Sequence, residues 1–233
     1  MPEDDDRELR QYRFSPPPGA ADCILIRHGE SAPARPDESF PLVDGRGDPP
    51  LDPRGRAEAE LVADRLQDEE ISAIYVSSLR RTAETAAPLA ARLGLEPKVD
   101  PDLAEVHLGE WEGGLFRQRL RERHPDALRM WTEERWDVIP GAETTESLHA
   151  RIRGTLERIA KAHPDERVVV VTHGGVIGTI VSLATGSRRF AFVGADNASL
   201  THVVLTDERW IVRRFNDTGH LGTDLDRPPQ PLT

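Results

Sequence analysis

Short apolar runs alternate with longer amphipathic stretches along this chain, and the alternation predicts its elements. Cys23-Ile24-Leu25-Ile26 is apolar, rich in β-branched side chains and bounded by polar residues, which predicts a buried strand. A loop rich in Pro, Gly and Asp follows over residues 32–50. Asp52-Pro53 then opens a helix, because Asp caps well and Pro is tolerated in a first turn. Ala57, Leu61, Val62 and Leu66 give that helix one apolar face. Ala73-Ile74-Tyr75-Val76 predicts the next strand. Ala83, Ala86, Ala87, Ala90 and Leu93 mark a second helix with Gly94 as its C-cap, and Pro88 inside it suggests a kink.

Lys98-Val99 reads as a short strand, and residues 113–140 as a polar helical insertion containing Trp131 and Trp136. Thr144 or Thr145 caps a long helix with Leu148, Ile152, Leu156, Ile159 and Ala160 facing inward. Residues 167–172 form a strand of nearly unbroken valine, and 175–184 a buried helix. Strands at 200–205 and 210–215 complete the set as a hairpin through Asp207-Glu208. The expected fold class is α/β: a mostly parallel central sheet with helices on both faces and an antiparallel edge. Residues 1–20, with Ser15-Pro16-Pro17-Pro18-Gly19, read as an arm that is flexible or laid along the surface. Residues 21–223 read as one domain, and 224–233 as a tail.

Composition narrows the function. The chain has 233 residues, 37% hydrophobic and 30% charged, enough for one sizeable α/β domain. A formal charge of −11 argues against nucleic acid or an anionic membrane as the main partner. It leaves room for a small basic pocket. The acidic N-terminus lacks the apolar segment of a secretory signal, and no run approaches the roughly 20 apolar residues of a membrane span. The single cysteine, Cys23, sits in an apolar run and reads as a buried inert thiol. A cytoplasmic location is expected.

The chemistry gathers where strands end. Arg27-His28-Gly29-Glu30 follows the first strand, and Thr172-His173-Gly174-Gly175 closes the valine strand. Open α/β sheets bind ligands at this carboxyl edge. There an imidazole can serve as nucleophile, an arginine can clamp phosphate with two hydrogen bonds, and a glycine admits a ligand to the main chain. A lone strand-terminal histidine is ordinarily structural; two strands ending in His-Gly are hard to explain by packing alone.

Two further segments extend the pattern: Ser77-Ser78-Leu79-Arg80-Arg81-Thr82-Ala83-Glu84-Thr85-Ala86, and residues 103–113 with Glu105, His107, Gly109, Glu110, Trp111, Glu112 and Gly113. In this order, over roughly 22–216, the four segments resemble the histidine phosphatase superfamily, which includes the cofactor-dependent phosphoglycerate mutases. Leu51-Asp52-Pro53-Arg54-Gly55 and Ala142-Glu143-Thr144 with Arg151 resemble two helix starts of that family. The resemblance implies a phosphoglycerate mutase-like fold and a role for each matching residue. His28 matches the nucleophile that accepts the phosphoryl group. Arg27 and Arg81, the latter rather than Arg80, match the phosphate clamps. His173 matches the second histidine, and Glu105 the proton donor, with Glu110 and Glu112 as competing carboxylates. Ser31 and Gly174 are further candidates for phosphate contact. Many members carry Asn three residues after the Ser/Thr, where this chain has Ala34, so one phosphate contact is missing or supplied elsewhere. No metal is expected, because no Cys/His ligand spacing is present and the pocket arginines would repel a cation. No cofactor is implied by the phosphatase reading.

Three functions compete. Gly109-Glu110-Trp111-Glu112-Gly113 after Glu105 resembles the phosphatase branch, which favours a phosphomonoesterase acting on a small phosphorylated metabolite. A phosphoglycerate mutase would need a bisphosphoglycerate to charge His28 and a basic insertion to hold a second phosphate. Arg117, Arg119, Arg121 and Arg123 do lie in the insertion, but residues 117 and 121 share a helix face and read as a solvated charged surface. The third reading, a weakly active phosphate-binding module, rests on Ala34 alone. Trp111, Trp131 and Trp136 read as core or lid packing before substrate contacts. The other six histidines, at 107, 124, 149, 163, 202 and 220, read as structural or exposed. An exposed sheet edge is compatible with a homodimer without specifying one.

Overall fold

The computed structural model describes residues 11–222. Its strands are β1 (Ala21–Arg27), β2 (Leu42–Val43), β3 (Arg46–Gly47), β4 (Ala73–Val76), β5 (Lys98–Val99), β6 (Arg167–Thr172), β7 (Leu200–Leu205) and β8 (Trp210–Asp217). Its α-helices are α1 (Pro53–Leu66), α2 (Arg80–Leu93), α3 (Leu115–Arg121), α4 (Pro125–Glu133), α5 (Thr145–Ala162) and α6 (Gly174–Thr185). The main sheet runs β5-β4-β6-β1-β7-β8. The pairs β5–β4, β4–β6 and β6–β1 are parallel; β1–β7 and β7–β8 are antiparallel. This is the mostly parallel sheet with an antiparallel edge that the alternation of elements predicts.

The apolar runs lack a polar face because helices cover both sides of the sheet. Cys23, Leu25, Val168 and Val170 pack in one cluster with Ala127 and Met130 of α4, Leu148 to Ile159 of α5, and Val176 to Val181 of α6. Their sequence neighbours Ile24, Ile26, Val169 and Val171 pack on the other side with Val62 and Leu66 of α1 and Ala86 and Leu89 of α2. Burial pushes the Cys23 thiol up to about 12, which fits an inert core residue.

Register places the two His-Gly turns side by side. Arg27 at the end of β1 lies opposite Thr172 at the end of β6. The chain then turns at His28 and at His173, and the His28 N–H donates to the Thr172 carbonyl at 3.0 Å. Asp52 caps α1 by accepting from Gly55 N at 2.9 Å. A Cβ on Gly55 would come within 2.0 Å of the Glu30 carbonyl oxygen, so glycine is required where α1 abuts the loop after His28.

Several boundaries differ from the sequence reading. Residues 32–50 carry the β2–β3 hairpin rather than loop alone. The insertion resolves into α3, α4 and a single 3₁₀ turn, Trp136–Val138. α2 begins at Arg80 and continues through Pro88 to Leu93. Thr144 is the cap of α5, accepting from Ser147 N at 3.2 Å. Residues 11–19 are exposed, and the Phe14 ring lies 3.8 Å beneath the Arg213 guanidinium, so that stretch lies along the surface. Residues 1–10 of the expected arm and the expected tail at 224–233 lie outside the described residues. Among the described residues no helix is long and apolar enough to cross a membrane.

Candidate active site

The two histidines meet at the carboxyl edge of the sheet, with ring centroids 5.1 Å apart in an edge-to-face arrangement. Both are buried. His28 Nδ1 lies 2.7 Å from the Gly29 carbonyl oxygen, which only accepts, so Nδ1 carries the proton. Nε2 then holds the lone pair and accepts from Arg81 Nε at 3.2 Å. Burial, then the charges of Arg81 and Arg27, holds the His28 imidazole well below the ordinary histidine range. It is neutral at neutral pH, the state a nucleophilic nitrogen requires.

His173 is driven down by the same causes: burial first, then Arg81 and His28. Its Nε2 lies 2.9 Å from Ser77 Oγ. Its Nδ1 is buried with no hydrogen-bond partner. Such an atom is costly unless a ligand meets it.

Arg81 extends from the first turn of α2 and also donates to the Gly47 carbonyl at 2.9 Å. Arg80 points outward and pairs with Glu84 at 3.2 Å. No side chain of the adjoining residue caps α2; Asp48 does so from the hairpin, accepting from Arg80 N at 2.8 Å. Arg27 donates to the Ala195 carbonyl at 2.5 Å and lies against Gly174, where an added Cβ would be 3.5 Å from Arg27 Nε.

Glu105 sits opposite this cationic group. Its carboxylate accepts from Val106 N at 2.9 Å and from Gly175 N, in the first turn of α6, at 3.2 Å. A helix start favours an anion there. A Cβ on Gly175 would fall 2.7 Å from Glu105 Oε1, so the glycine pair admits the carboxylate. The strand-free segment bearing Glu105 is held by Arg151, which donates to the carbonyls of Asp102 at 2.6 Å and Ala104 at 2.8 Å. Glu143 fixes Arg151 in turn, through Nε at 2.7 Å and Nη2 at 2.8 Å. Arg46 donates to the Glu105 carbonyl at 2.7 Å from the other side. Glu112 also reaches the cavity, but both its oxygens are taken by backbone, Leu108 N at 2.7 Å and Gly47 N at 2.8 Å. Glu110 is exposed.

Arg27, His28, Arg81, Glu105 and Gly174 line one cavity. His173 is fully buried behind His28. Ser31 lines the adjoining cavity, across Arg117. The far wall of the main cavity is apolar: Phe40, Leu108, Trp111, Phe116, Trp136 and Val193. The three tryptophans thus pack in the core and also face the cavity, since Trp131 lines it too. Arg117 corrects the reading of a solvated charged face. It turns inward to Ser31 and Ala32, while Arg121 and Arg123 are exposed. Among the remaining histidines, His163 bridges Tyr75 and Glu166, and His202 meets Asp22. Among the described residues no group of three or more His, Cys, Asp or Glu side chains is placed to hold a metal ion.

Sequence reasoning quoted Ser77 within a motif but gave it no role, and it missed Arg46, Asp48 and Asn197. Asn197 donates to the His28 carbonyl at 2.9 Å. All four act through contacts distant in sequence, and Arg46, Asp48 and Asn197 carry no local motif.

Comparison with known proteins gives a consistent picture. The profile of the histidine phosphatase superfamily (branch 1) matches residues 23–218. Phosphoglycerate mutase-like protein 4 of Arabidopsis thaliana is 35% identical over 205 residues, covering 86% of this chain and 87% of that protein. Phosphoserine phosphatase 1 of Hydrogenobacter thermophilus is 34% identical over 204 residues, covering 85% and 93%. A mycobacterial glucosyl-3-phosphoglycerate phosphatase has a similar structure, with a TM-score of 0.70 at 27% identity over 85% of this chain and all of that one.

Proposed function

This chain belongs to the histidine phosphatase superfamily, and on that premise we propose that it is a phosphomonoesterase that hydrolyses a small phosphorylated metabolite through a phosphohistidine on His28. The observation that carries this reading is the neutral His28 imidazole, its Nε2 lone pair held at Arg81 beside a buried His173.

The chemistry follows from those positions. Arg27 and Arg81 bind the phosphoryl oxygens, and the Arg81 N–H moves from His28 Nε2 to the substrate. Nε2 attacks phosphorus, an N–P bond forms, and the P–O bond to the leaving group breaks. Glu105 gives its proton to the departing oxygen. His173 Nδ1, with Ser77 engaging Nε2, donates to the phosphoryl oxygens as their charge shifts. Water then attacks phosphorus, Glu105 takes its proton, and the N–P bond breaks to release phosphate. Positioning and electrostatic stabilisation carry most of such a transfer, which suits a site built from arginines and histidines.

The leaving-group wall favours hydrolysis over mutase chemistry. It is mostly aromatic and aliphatic, and Arg46, a cation on that side, is engaged by the Glu105 carbonyl and lies 3.9 Å from Glu143. The other cation of this cavity beyond Arg27 and Arg81, Arg117, is engaged by Ser31 and Ala32. The phosphatase names of several relatives point the same way.

The test is phosphate release from p-nitrophenyl phosphate without added metal, wild type beside His28→Ala. Turnover should fall by at least ~10³-fold in a variant that remains folded. Equal release by the two proteins would remove His28 as nucleophile. No release from folded wild type, with transfer to 3-phosphoglycerate in the presence of a bisphosphoglycerate, would replace the hydrolase by a mutase.

A further inference from the structure

Arg117 is out of place for a surface residue of a polar insertion. It lies on α3, yet its side chain passes inward and separates the main cavity from the one lined by Ser31 and Ala34. Nη2 donates to Ser31 Oγ at 2.7 Å, and Nη1 to the Ala32 carbonyl at 2.9 Å. The guanidinium lies 5.7 Å from the centre of the Phe40 ring. It forms no ion pair with a carboxylate among the described residues. Burial first, then the charge of Arg27, pulls the Arg117 pKa down, and the more distant Glu30 carboxylate opposes this without reversing it. A largely desolvated cation with no carboxylate in contact and another guanidinium nearby is unfavourable unless an anion joins it.

Residue 34 explains how the arginine gets there. A Cβ on Gly114, just before α3, would come within 3.1 Å of the Ala34 methyl and of the Phe40 ring. The insertion therefore starts in direct contact with residue 34. Gln118 Nε2 adds a bond to the Arg35 carbonyl at 3.1 Å. A small residue at 34 and a cation at 117 thus form one local arrangement: the loop after His28 lacks a polar side chain at 34, and α3 delivers a charged one to the same place.

We propose that Arg117 is a ligand of the transferred phosphoryl group, a third guanidinium that binds it from the Ser31 side. The proposal rests on the phosphatase reading only for the identity of the anion. Arg117 reaches the site through two fixed acceptors, Ser31 Oγ and Ala32 O, so its fork is oriented before the ligand arrives. Its charge acts on both His28 and Arg81, which places it within electrostatic range of the reacting atoms.

Binding of inorganic phosphate, measured by calorimetry, tests this without turnover. Arg117→Ala should weaken phosphate at least ~tenfold, the loss expected for one charge-assisted contact, and kcat/KM for p-nitrophenyl phosphate should fall with it. Arg117→Lys should recover part of the affinity, because charge returns without the fork. A purely structural role for Arg117 would give Lys no such advantage over Arg117→Gln, which also serves if the alanine variant is unstable. Phosphate affinity unchanged in folded Arg117→Ala and Arg117→Gln would overturn the proposal. So would a loss confined to esters whose leaving group carries its own anion, since that places Arg117 on the leaving group. Wild type that binds phosphate but hydrolyses no ester would sink the phosphatase reading and leave the Arg117 contact standing.

Discussion

The two edges of the sheet use the same residue types to opposite ends. At the amino edge, Arg167 bridges Asp22, at 2.8 Å, and Glu69, and His202 meets the same Asp22. Nearby, His163 lies between Tyr75 at 2.9 Å and Glu166 at 2.6 Å. Burial raises the Asp22 carboxyl, but its bonds to His202 and Arg167 outweigh that and leave it lowered. At the carboxyl edge, arginines face histidines instead. Among the described residues the one carboxylate in ion-pair contact with Arg81 is Asp48 at 3.9 Å, and Arg117 has none in contact; Glu105 acts on Arg81, and Glu30 on Arg117, from farther away. One edge satisfies its charges internally and stabilises the fold. The other leaves positive potential in a buried cleft, where an anionic ligand completes it. The function costs stability where the ligand binds, and the paired edge offsets part of that cost.

After loss of His28 itself, removing the Glu105 carboxylate opposite the cations should have the largest effect. Glu105→Gln keeps the size of the side chain and removes its proton transfer. For a phosphate ester with an alkyl alcohol as leaving group, kcat should fall by ~10²–10³-fold, because that alcohol must be protonated as it departs. For p-nitrophenyl phosphate the loss should be no more than ~tenfold, since nitrophenolate leaves unaided. Equal losses on both esters would show that Glu105 is not the acid.

A smaller effect is expected one contact further out. Arg151 touches no reacting atom; it holds the carbonyls of residues 102–105 and is fixed by Glu143. Arg151→Met should lower kcat by ~10–100-fold through misplacement of Glu105, with KM little changed. As a positioning residue it should inherit the signature of Glu105, a greater loss on alkyl than on nitrophenyl esters. A uniform loss on both would mean that the fold, and not the acid, had been disturbed.

Asp22→Asn probes the opposite edge. It leaves Arg167 and His202 without their shared carboxylate and should cost about 2 kcal/mol in urea unfolding. Turnover per folded molecule should stay within ~twofold, since the edge is a full strand length from the site. A substantial loss of kcat in this variant would show that the two edges are energetically linked.

The parts of this molecule that were legible in its sequence are those coded locally. β1 and β6 are continuous apolar runs because both faces are covered, and α5 shows its cap and inward stripe within one stretch. The Arg-His-Gly and His-Gly-Gly turns stood out because they end those runs. The β2–β3 hairpin did not, since its strands are two residues each and partly exposed. Asp48 caps α2 from 32 positions away, a contact no window along the chain displays. Arg117 misled because periodicity pairs it with Arg121, whereas α3 is only seven residues long and its inner side is set by contact with Ala34. Tertiary packing, not helical periodicity, decides which arginine turns inward.

A slope in pH separates the two edges by their protons. His28 and His173 are both held well below the ordinary value by burial and by neighbouring cations. In the unfolded chain each binds a proton near pH 6.5. Between that value and their lower folded values the unfolded state therefore holds more protons, so stability falls as pH falls. The limiting slope is about 1.4 kcal/mol per pH unit for each histidine. His149 is lowered as well and adds in the same direction. The carboxyl of Asp22 is also lowered, but its stabilising contribution is lost only as pH drops through the carboxylate range, below about 4. Urea midpoints should accordingly decline from pH 6.5 toward pH 5 in wild type. The decline should be shallower in His173→Gln and unaltered in Asp22→Asn. If His173→Gln keeps the full slope, His173 is protonated in the folded protein near pH 6 and the carboxyl edge is less positive than its arginines imply.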